Sequence, residues 1–163
     1  MPVCRYRFIL LAGIATLALL AAGARHAQAQ HVTLSNTRGL DFGRFVAGSG
    51  GTVVLAPDRP RSSTGGVVLL NSQNTGLAGF NLGRTGNGGN NKAVVITLPP
   101  NGATRLISGA NSMAVDTFVS SPATLQSIPN GGTTLSIGAT LTVAPNQAPG
   151  NYSGTFSLTV IYQ

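Results

Sequence analysis

Apolar and polar residues alternate with a period of two along two long segments near the end of the chain. In residues 133–143 Leu, Ile, Ala, Leu and Val alternate with Thr, Ser and Gly, and residues 152–162 repeat the pattern with Tyr, Phe, Leu, Val and Tyr. Because successive side chains of a strand point to opposite faces, both segments are predicted strands with one buried face. Pro145, Pro149 and Gly150 lie between them, which predicts a β-hairpin with a long connection.

Shorter stretches of the same kind lie between residues 40 and 119. Clusters of Gly, Pro and Asn separate them at nearly regular intervals, and no long window has apolar residues at helical spacing. About seven to nine short strands in one chain of this length predict an all-β domain, either an antiparallel sandwich or a barrel. The candidate strands are 40–45, 51–55, 66–70, 79–82, 93–98, 104–108 and 112–119.

The start of the chain has the composition of a cleavable signal peptide at residues 1–29. Two arginines precede an apolar run at 8–22, and small residues follow it up to Ala27 and Ala29. The run is shorter than the roughly twenty residues of a membrane-spanning helix, so we expect cleavage after Ala29 and no membrane span in the remaining domain, residues 30–163. An uncleaved N-terminal anchor is the alternative. The predicted location is secreted, periplasmic or at the cell surface.

Cysteine and charge narrow the classes of function. The single cysteine, Cys4, lies in the predicted signal peptide, so the mature domain is expected to have neither disulfides nor thiolate metal sites. The formal net charge is +7, but the basic residues are scattered and lack interleaved aromatic residues, so no nucleic-acid partner is expected. Arg59 and Arg61 are interpreted as two solvated loop arginines, with contact to an acidic glycan as the alternative.

Candidate catalytic groups are few. Glu is absent, and the mature chain offers one histidine and three aspartates, namely His31, Asp41, Asp58 and Asp116. They are far apart in sequence, and no Gly-x-Ser-x-Gly motif presents a nucleophile. A paired-carboxylate, triad or metal mechanism is therefore not expected, and the domain is predicted to be no enzyme and to bind no cofactor.

Several stretches of the chain resemble a family of bacterial secreted domains, domain of unknown function 4402, which is itself similar to pilin-like and spore coat protein U domains. The matching residues are 40–45, 51–58, 62–70 and 135–162, and the stretch 148–156, Ala-Pro-Gly-Asn-Tyr-Ser-Gly-Thr-Phe, is the most specific. The resemblance implies an immunoglobulin-like antiparallel β-sandwich on or outside the cell surface, with no established activity.

The distant similarity to chaperone-usher pilins implies a role for both ends of the domain. Pilins carry a glycine fourteen residues from the end and a penultimate tyrosine, and Gly150 and Tyr162 stand at those places. In pilins the last strand contacts the chaperone, and a neighbour's N-terminal arm then completes the fold. The residues implied in assembly here are Gly150, Tyr152, Phe156, Leu158, Val160 and Tyr162 in the last strand and Val32 and Leu34 in the arm.

The arm departs from the pilin pattern. Residues 30–38 offer only Val32 and Leu34 as alternating apolar residues, and the chain cannot form the disulfide that pilins often have. The alternative for these two residues is an edge strand within their own domain. Residues 150–163 carry no charge that would protect a sheet edge from association, which keeps assembly as a hypothesis.

The combined expectation is a secreted structural or adhesive domain, a pilin-like subunit or matrix component. Its expected partners are further copies or related subunits and a periplasmic chaperone. A free carbohydrate- or ligand-binding module that contacts surface glycans is the alternative. Such a module would expose aromatic residues in loops, whereas nearly all aromatic residues here lie in predicted strands.

Overall fold

The computed structural model describes residues 31–85 and 92–163; the predicted signal peptide, with Ala27 and Ala29, lies outside the described residues. The described chain is all β with antiparallel pairing throughout, which confirms the predicted sandwich. Within it, no helix is long and apolar enough to cross a membrane. The strands are β1 (His31–Arg38), β2 (Phe45–Val46), β3 (Gly51–Ala56), β4 (Arg59–Gly65), β5 (Val68–Leu69), β6 (Ala78–Thr85), β7 (Val94–Thr97), β8 (Thr104–Ser108), β9 (Asn111–Ser121), β10 (Thr133–Val143) and β11 (Thr159–Tyr162).

Strand β10 organises the larger sheet. Its alternating apolar side chains point inward, and Leu135, Ile137 and Leu141 are fully buried, as the period of two predicts. Along one edge its first half pairs with β6 and its second half with β3, while β9 pairs along the opposite edge. Strand β1 lies beyond β6, β4 beyond β3, and β8 beyond β9.

The opposite layer consists of two short strand pairs, β2 with β5 and β7 with β11. Residues 39–44 lead into β2, and residues 150–158 lead into β11. Two groups of buried side chains fill the space between the layers, and both rest on β10. The Leu141 cluster comprises Phe42, Val53, Leu55, Val67, Met113, Val115, Ala139, Leu141 and Val143; the Ile137 cluster comprises Ala78, Leu82, Val94, Ile128, Leu135 and Ile137.

The predicted hairpin between β10 and the last segment is wrong. Both edges of β10 are occupied by β3, β6 and β9, so no edge remains for the last segment. The connection 144–150 leads the chain away from β10. Ser153 then pairs with Ile107 of β8, at the edge of the larger sheet, and β11 pairs with β7 in the other layer. The alternation was interpreted correctly, since Tyr152, Phe156 and every second residue beyond them are half-buried.

The interpretation of Arg59 and Arg61 as loop residues is also wrong. They lie on β4, a strand of seven residues paired with β3. Strand β4 lacks large apolar side chains, which is why periodicity did not reveal it. Its Pro60 has no N–H to donate, and such a residue is tolerated at the edge of a sheet. With two strands of only two residues each, the described chain contains eleven strands rather than about seven to nine.

Strand β9 contains a bulge that reverses the faces of its side chains. Thr117 has a φ of 52°, in the left-handed region that β-branched residues rarely adopt. Before the bulge Met113 and Val115 are buried, and after it Phe118 packs against both clusters. The N–H of Thr117 donates to the Asn101 side chain at 2.8 Å, which fixes this turn of the backbone. The bulge therefore lets one strand serve both parts of the core.

Candidate functional site

A groove of about 1400 Å³ opens between two extended segments of the smaller layer. The first rim is residues 38–48, and the second rim is residues 146–154. Side chains of Leu106, Met113 and Leu141 line the groove between the rims. Since Leu141 and Met113 also belong to the Leu141 cluster, the floor of the groove is the hydrophobic core itself.

The first rim is paired along its outer edge. Asp41 exchanges two backbone hydrogen bonds of 2.9 Å with Gly76, and β2 continues this edge against β5. The Asp41 carboxylate also accepts the N–H of Gly43 at 2.7 Å and so shapes the rim locally. In extended backbone, neighbouring residues direct their N–H and C=O groups to opposite edges, so Leu40 and Phe42 direct theirs toward the groove.

The second rim is built in the same way. Ser153 exchanges backbone hydrogen bonds of 2.8 and 3.1 Å with Ile107 of β8. The backbone groups of its neighbours, Tyr152 and Gly154, consequently face the groove. The Tyr152 hydroxyl donates to the carbonyl of Ala148 at 2.8 Å and accepts from Gln147 at 2.8 Å, which holds the rim in its bend.

The two rims join at one end of the groove. The N–H of Asn146 donates to the carbonyl of Gly48 at 3.1 Å, and across the described ranges no other backbone hydrogen bond links the rims. From this closed end the rims run antiparallel to each other. The arrangement is a sheet layer with one strand missing, which leaves two unpaired edges over an apolar floor.

Arg61 supports the first rim from outside. Its guanidinium donates to the carbonyl of Arg44 at 2.7 Å and to the carbonyl of Leu70 at 3.1 Å, so it ties the rim to the segment after β5. Burial lowers the pKa of the Arg61 guanidinium, while the negative charge of Asp41 opposes the shift. Within the described chain its buried Nε has no hydrogen-bond partner. Arg61 is thus a structural clamp rather than a solvated loop residue.

The three carboxylates of the domain are engaged locally and lie apart. Asp41 holds Gly43, Asp58 pairs with Arg59 at 3.4 Å, and the carboxylate of Asp116 accepts the N–H of Gly102 at 2.6 Å. In residues 31–85 and 92–163 no three His, Cys, Asp or Glu side chains are grouped as metal ligands. The backbone edges of the rims and the apolar floor offer main-chain hydrogen bonds and apolar contact to a ligand.

The last-segment residues that were predicted to act in assembly lie in two different places in the structure. Gly150 and Tyr152 line the groove. Phe156 packs instead between Phe80 and Phe118, with ring centroids 6.3 and 5.2 Å away, and the remaining residues of the last strand, Leu158, Val160 and Tyr162, contact the Ile137 cluster. The first part of the last segment, residues 150–162, thus borders the groove, and its second part covers closed core.

The predicted arm is paired within its own domain. Val32 and Leu34 lie on β1, which pairs antiparallel with β6, the arrangement that the edge-strand alternative describes. Val32 packs against the Ile137 cluster, whereas the side chain of Leu34 is 38% exposed. Donation of this strand to a neighbour would require its release from β6.

Sequence reasoning placed part of the first rim and the floor residues on predicted strands but did not identify them as parts of one site. Leu40 and Phe42 were assigned to a strand, but nothing connected that strand with the last segment 110 residues later. Leu70 was likewise assigned to a strand. It lines the groove from beside the first rim, where its N–H donates to the carbonyl of Arg44 at 2.9 Å, and it is 39% exposed. The sequence signal that could have indicated the first rim was the alternation of apolar residues at Leu40 and Phe42, which directly follows an arm with few apolar residues.

Comparison with known proteins identifies a family. A family model described as Domain of unknown function (DUF4402) matches residues 32–162. No curated protein and no solved structure matches the chain. The match begins at the second residue of β1 and ends at the last residue of β11, so it covers both rims and the floor of the groove.

Proposed function

Because the chain belongs to the DUF4402 family of domains of unknown function, we propose its function from the groove: it is a secreted structural or adhesive domain of the cell surface that accepts an extended strand from a partner. The observation that carries this proposal is the pair of unpaired rims over an apolar floor. Addition of a strand to exposed sheet edges supplies affinity through main-chain hydrogen bonds and specificity through alternate side chains.

Residues 1–29 support the secreted location. Their order of basic residues, apolar run and small residues at Ala27 and Ala29 is typical of signal peptides. The placement of Gly150 and Tyr162 supports a pilin-like role, since pilins engage a chaperone and related subunits through the same end of the domain. The proposed partners are accordingly a periplasmic chaperone and structural subunits.

A non-enzymatic role is part of the proposal. Each aspartate serves a local contact, and His31 lies at the exposed start of β1, where its ring bonds the carbonyl of Val32 at 2.8 Å. The groove contains apolar side chains and backbone edges, which favour peptide binding over acid–base chemistry.

The experiment introduces a charge into the groove and compares the assembly of variants in the native host. Leu70→Asp places a carboxylate on a side chain that lines the groove, and Ile161→Asp is the control, because Ile161 is 54% exposed on β11 outside the groove. Surface fractions are extracted and run on unheated detergent gels. We expect high-mass species for the wild type and for Ile161→Asp, and monomer for Leu70→Asp.

Two outcomes contradict the proposal. A wild-type protein that is monomeric at the surface, or retained in the cytoplasm, removes the structural role. High-mass species that persist in Leu70→Asp show that assembly does not use the groove. Circular dichroism of both purified variants verifies that the expected monomer is folded.

A ligand-binding module is the second candidate. The observation that favours it is the share of amide side chains along the groove, including Gln73, Asn74 and Gln147, which suit hydroxyl-rich ligands. Glycan-array binding of the purified wild type, lost in Leu70→Asp and retained in Ile161→Asp, would favour this module over the structural subunit.

A further inference from the structure

The rims of the groove have an excess of positive charge. Arg38 and Arg44 are exposed and line the groove, and Asp41 is the carboxylate on the same rims. Asp41 accepts the N–H of Gly43, and its charge acts on the Arg61 guanidinium. In the part of the chain that the structure describes, no carboxylate forms an ion pair with Arg38 or Arg44.

The two arginines lie along the path of an added strand. Arg38 stands at the end of the first rim away from the Gly48–Asn146 closure, where its guanidinium donates to the carbonyls of Asn74 at 3.0 Å and Thr75 at 2.8 Å. Neutral carbonyls leave the positive charge uncompensated. Arg44 lies nearer to the closure. An occupant of the groove therefore passes two cations and one carboxylate, that of Asp41, which is engaged by the N–H of Gly43.

The chain's own β1 fits this charge poorly. It carries His31 and Arg38 and no carboxylate, and the three aspartates of the chain lie elsewhere. It is also held by β6 in continuous register from His31 to Asn36. Docking of β1 from a second copy would break that pairing and bring Arg38 toward like charges.

We propose that the occupant of the groove is an acidic strand of a different protein: an extended segment with apolar side chains at every second position and a carboxylate that meets Arg44 or Arg38. The inference rests on the proposed function, because it specifies the partner for the same groove. The apolar side chains of the partner strand pack on the floor over Met113 and Leu141, and its carboxylate offsets the excess positive charge of the rims. Such a partner makes the assembly heteromeric and excludes self-polymerisation through β1.

Binding of three labelled peptides to the domain, residues 30–163, tests the inference by fluorescence anisotropy. The acidic peptide alternates Val and Thr over about ten residues with Glu at each end. The neutral peptide has Gln in place of both Glu residues, and the third peptide is residues 31–40 of this chain. We expect the acidic peptide to bind about fivefold more tightly than the neutral one, the size of an exposed ion pair, and the difference to shrink in high salt.

Variants locate the effect in the groove. Arg44→Gln is expected to reduce the affinity for the acidic peptide about two- to fivefold and to leave the neutral peptide unchanged. The control Lys92→Gln removes an equal charge from an exposed position that does not line the groove, and it is expected to change neither affinity.

The outcomes separate this inference from the proposed function. Equal binding of the acidic and neutral peptides, or tightest binding of peptide 31–40, overturns the acidic partner while the groove remains a strand-binding site. Binding of none of the three peptides overturns both. Preference for the acidic peptide that survives Arg44→Gln and Arg38→Gln together overturns the assignment of the charge to these rims.

Discussion

The two halves of β10 carry the same sequence pattern and end in different surroundings. Around Ile137, the first half lies under the β7–β11 pair and the aromatic contact of Phe156 with Phe80 and Phe118. Around Leu141, the second half lies under a groove whose rims, within the described residues, share a backbone hydrogen bond only at the Gly48–Asn146 end. Both side chains are fully buried, so the open half has a complete core and lacks a strand rather than apolar residues.

The two halves show that burial of apolar side chains and pairing of backbone edges are independent of each other. An apolar residue can be shielded by its own sheet and its neighbours while the adjacent backbone edges remain unsatisfied. Ser153 and Asp41 secure the outer edges of the rims, so the rims are held in place without being joined across the gap. The strand that we propose as a partner would therefore meet rims that are already held in place.

The largest expected effect comes from truncating the two core residues on β10. Ile137→Ala and Leu141→Ala remove the same number of carbon atoms from fully buried side chains. We expect a loss of about 4 kcal/mol in the free energy of unfolding for Ile137→Ala and about 2–3 kcal/mol for Leu141→Ala, because a cavity beside the groove relaxes more easily. Urea denaturation measures both. Equal losses would mean that the two halves are equally rigid.

The junction of the halves should be sensitive to a single methyl group. Gly138 lies where β10 changes partners from β6 to β3, and a Cβ at this position would collide with the carbonyl of Leu55. Gly138→Ala is expected to lower the free energy of unfolding by about 2–3 kcal/mol.

Gly131→Ala is the matched control for the junction. A Cβ at Gly131 meets nothing within 4 Å, so its effect is expected to stay within about 0.5 kcal/mol. Thermal or urea unfolding of both variants decides the point. Similar small effects would show that β3 moves away from β10 without cost.

Sequence patterns predicted where the strands lie better than they predicted which strands pair with each other. Alternation located β10, β9 and the inward face of the last segment, because a period of two decides which face of a strand is buried. The same period says nothing about which strand lies alongside, and for that reason the hairpin was wrong. The groove is a relation between residues 38–48 and 146–154, and no local pattern contains it.

The polar composition of β4 led to a second wrong prediction, that Arg59 and Arg61 lie in a loop. Strand β4, Arg-Pro-Arg-Ser-Ser-Thr-Gly, has no apolar alternation because it is an edge strand with mostly exposed side chains. Its membership of the sheet comes from pairing with β3 and from the clamp of Arg61 on two carbonyls. Long-range backbone pairing of this kind leaves no trace in hydrophobic periodicity.

A smaller effect separates Tyr152, in the segment that leads into β11, from Tyr162 on β11 itself. The hydroxyl of Tyr152 bonds Ala148 and Gln147 on the second rim, whereas the hydroxyl of Tyr162, in the closed half, has no hydrogen-bond partner within the described residues. Tyr152→Phe is expected to lower the free energy of unfolding by about 1 kcal/mol and Tyr162→Phe to leave it nearly unchanged. The comparison uses chemical denaturation. A larger loss for Tyr162→Phe would contradict the assignment of the bend to the rim.

The smallest expected effect is a gain in stability at the bulge between the halves. Thr117 holds a φ of 52°, a conformation that Asn adopts more readily than a β-branched residue. Thr117→Asn is expected to raise the free energy of unfolding by about 0.5 kcal/mol, since it relieves the backbone and keeps the N–H bond to Asn101. Thr117→Ala, which lacks the short polar side chain that favours this conformation, should give less. If urea midpoints show no advantage of Asn over Ala, the bulge is not strained, and its role is limited to turning Phe118 into the core.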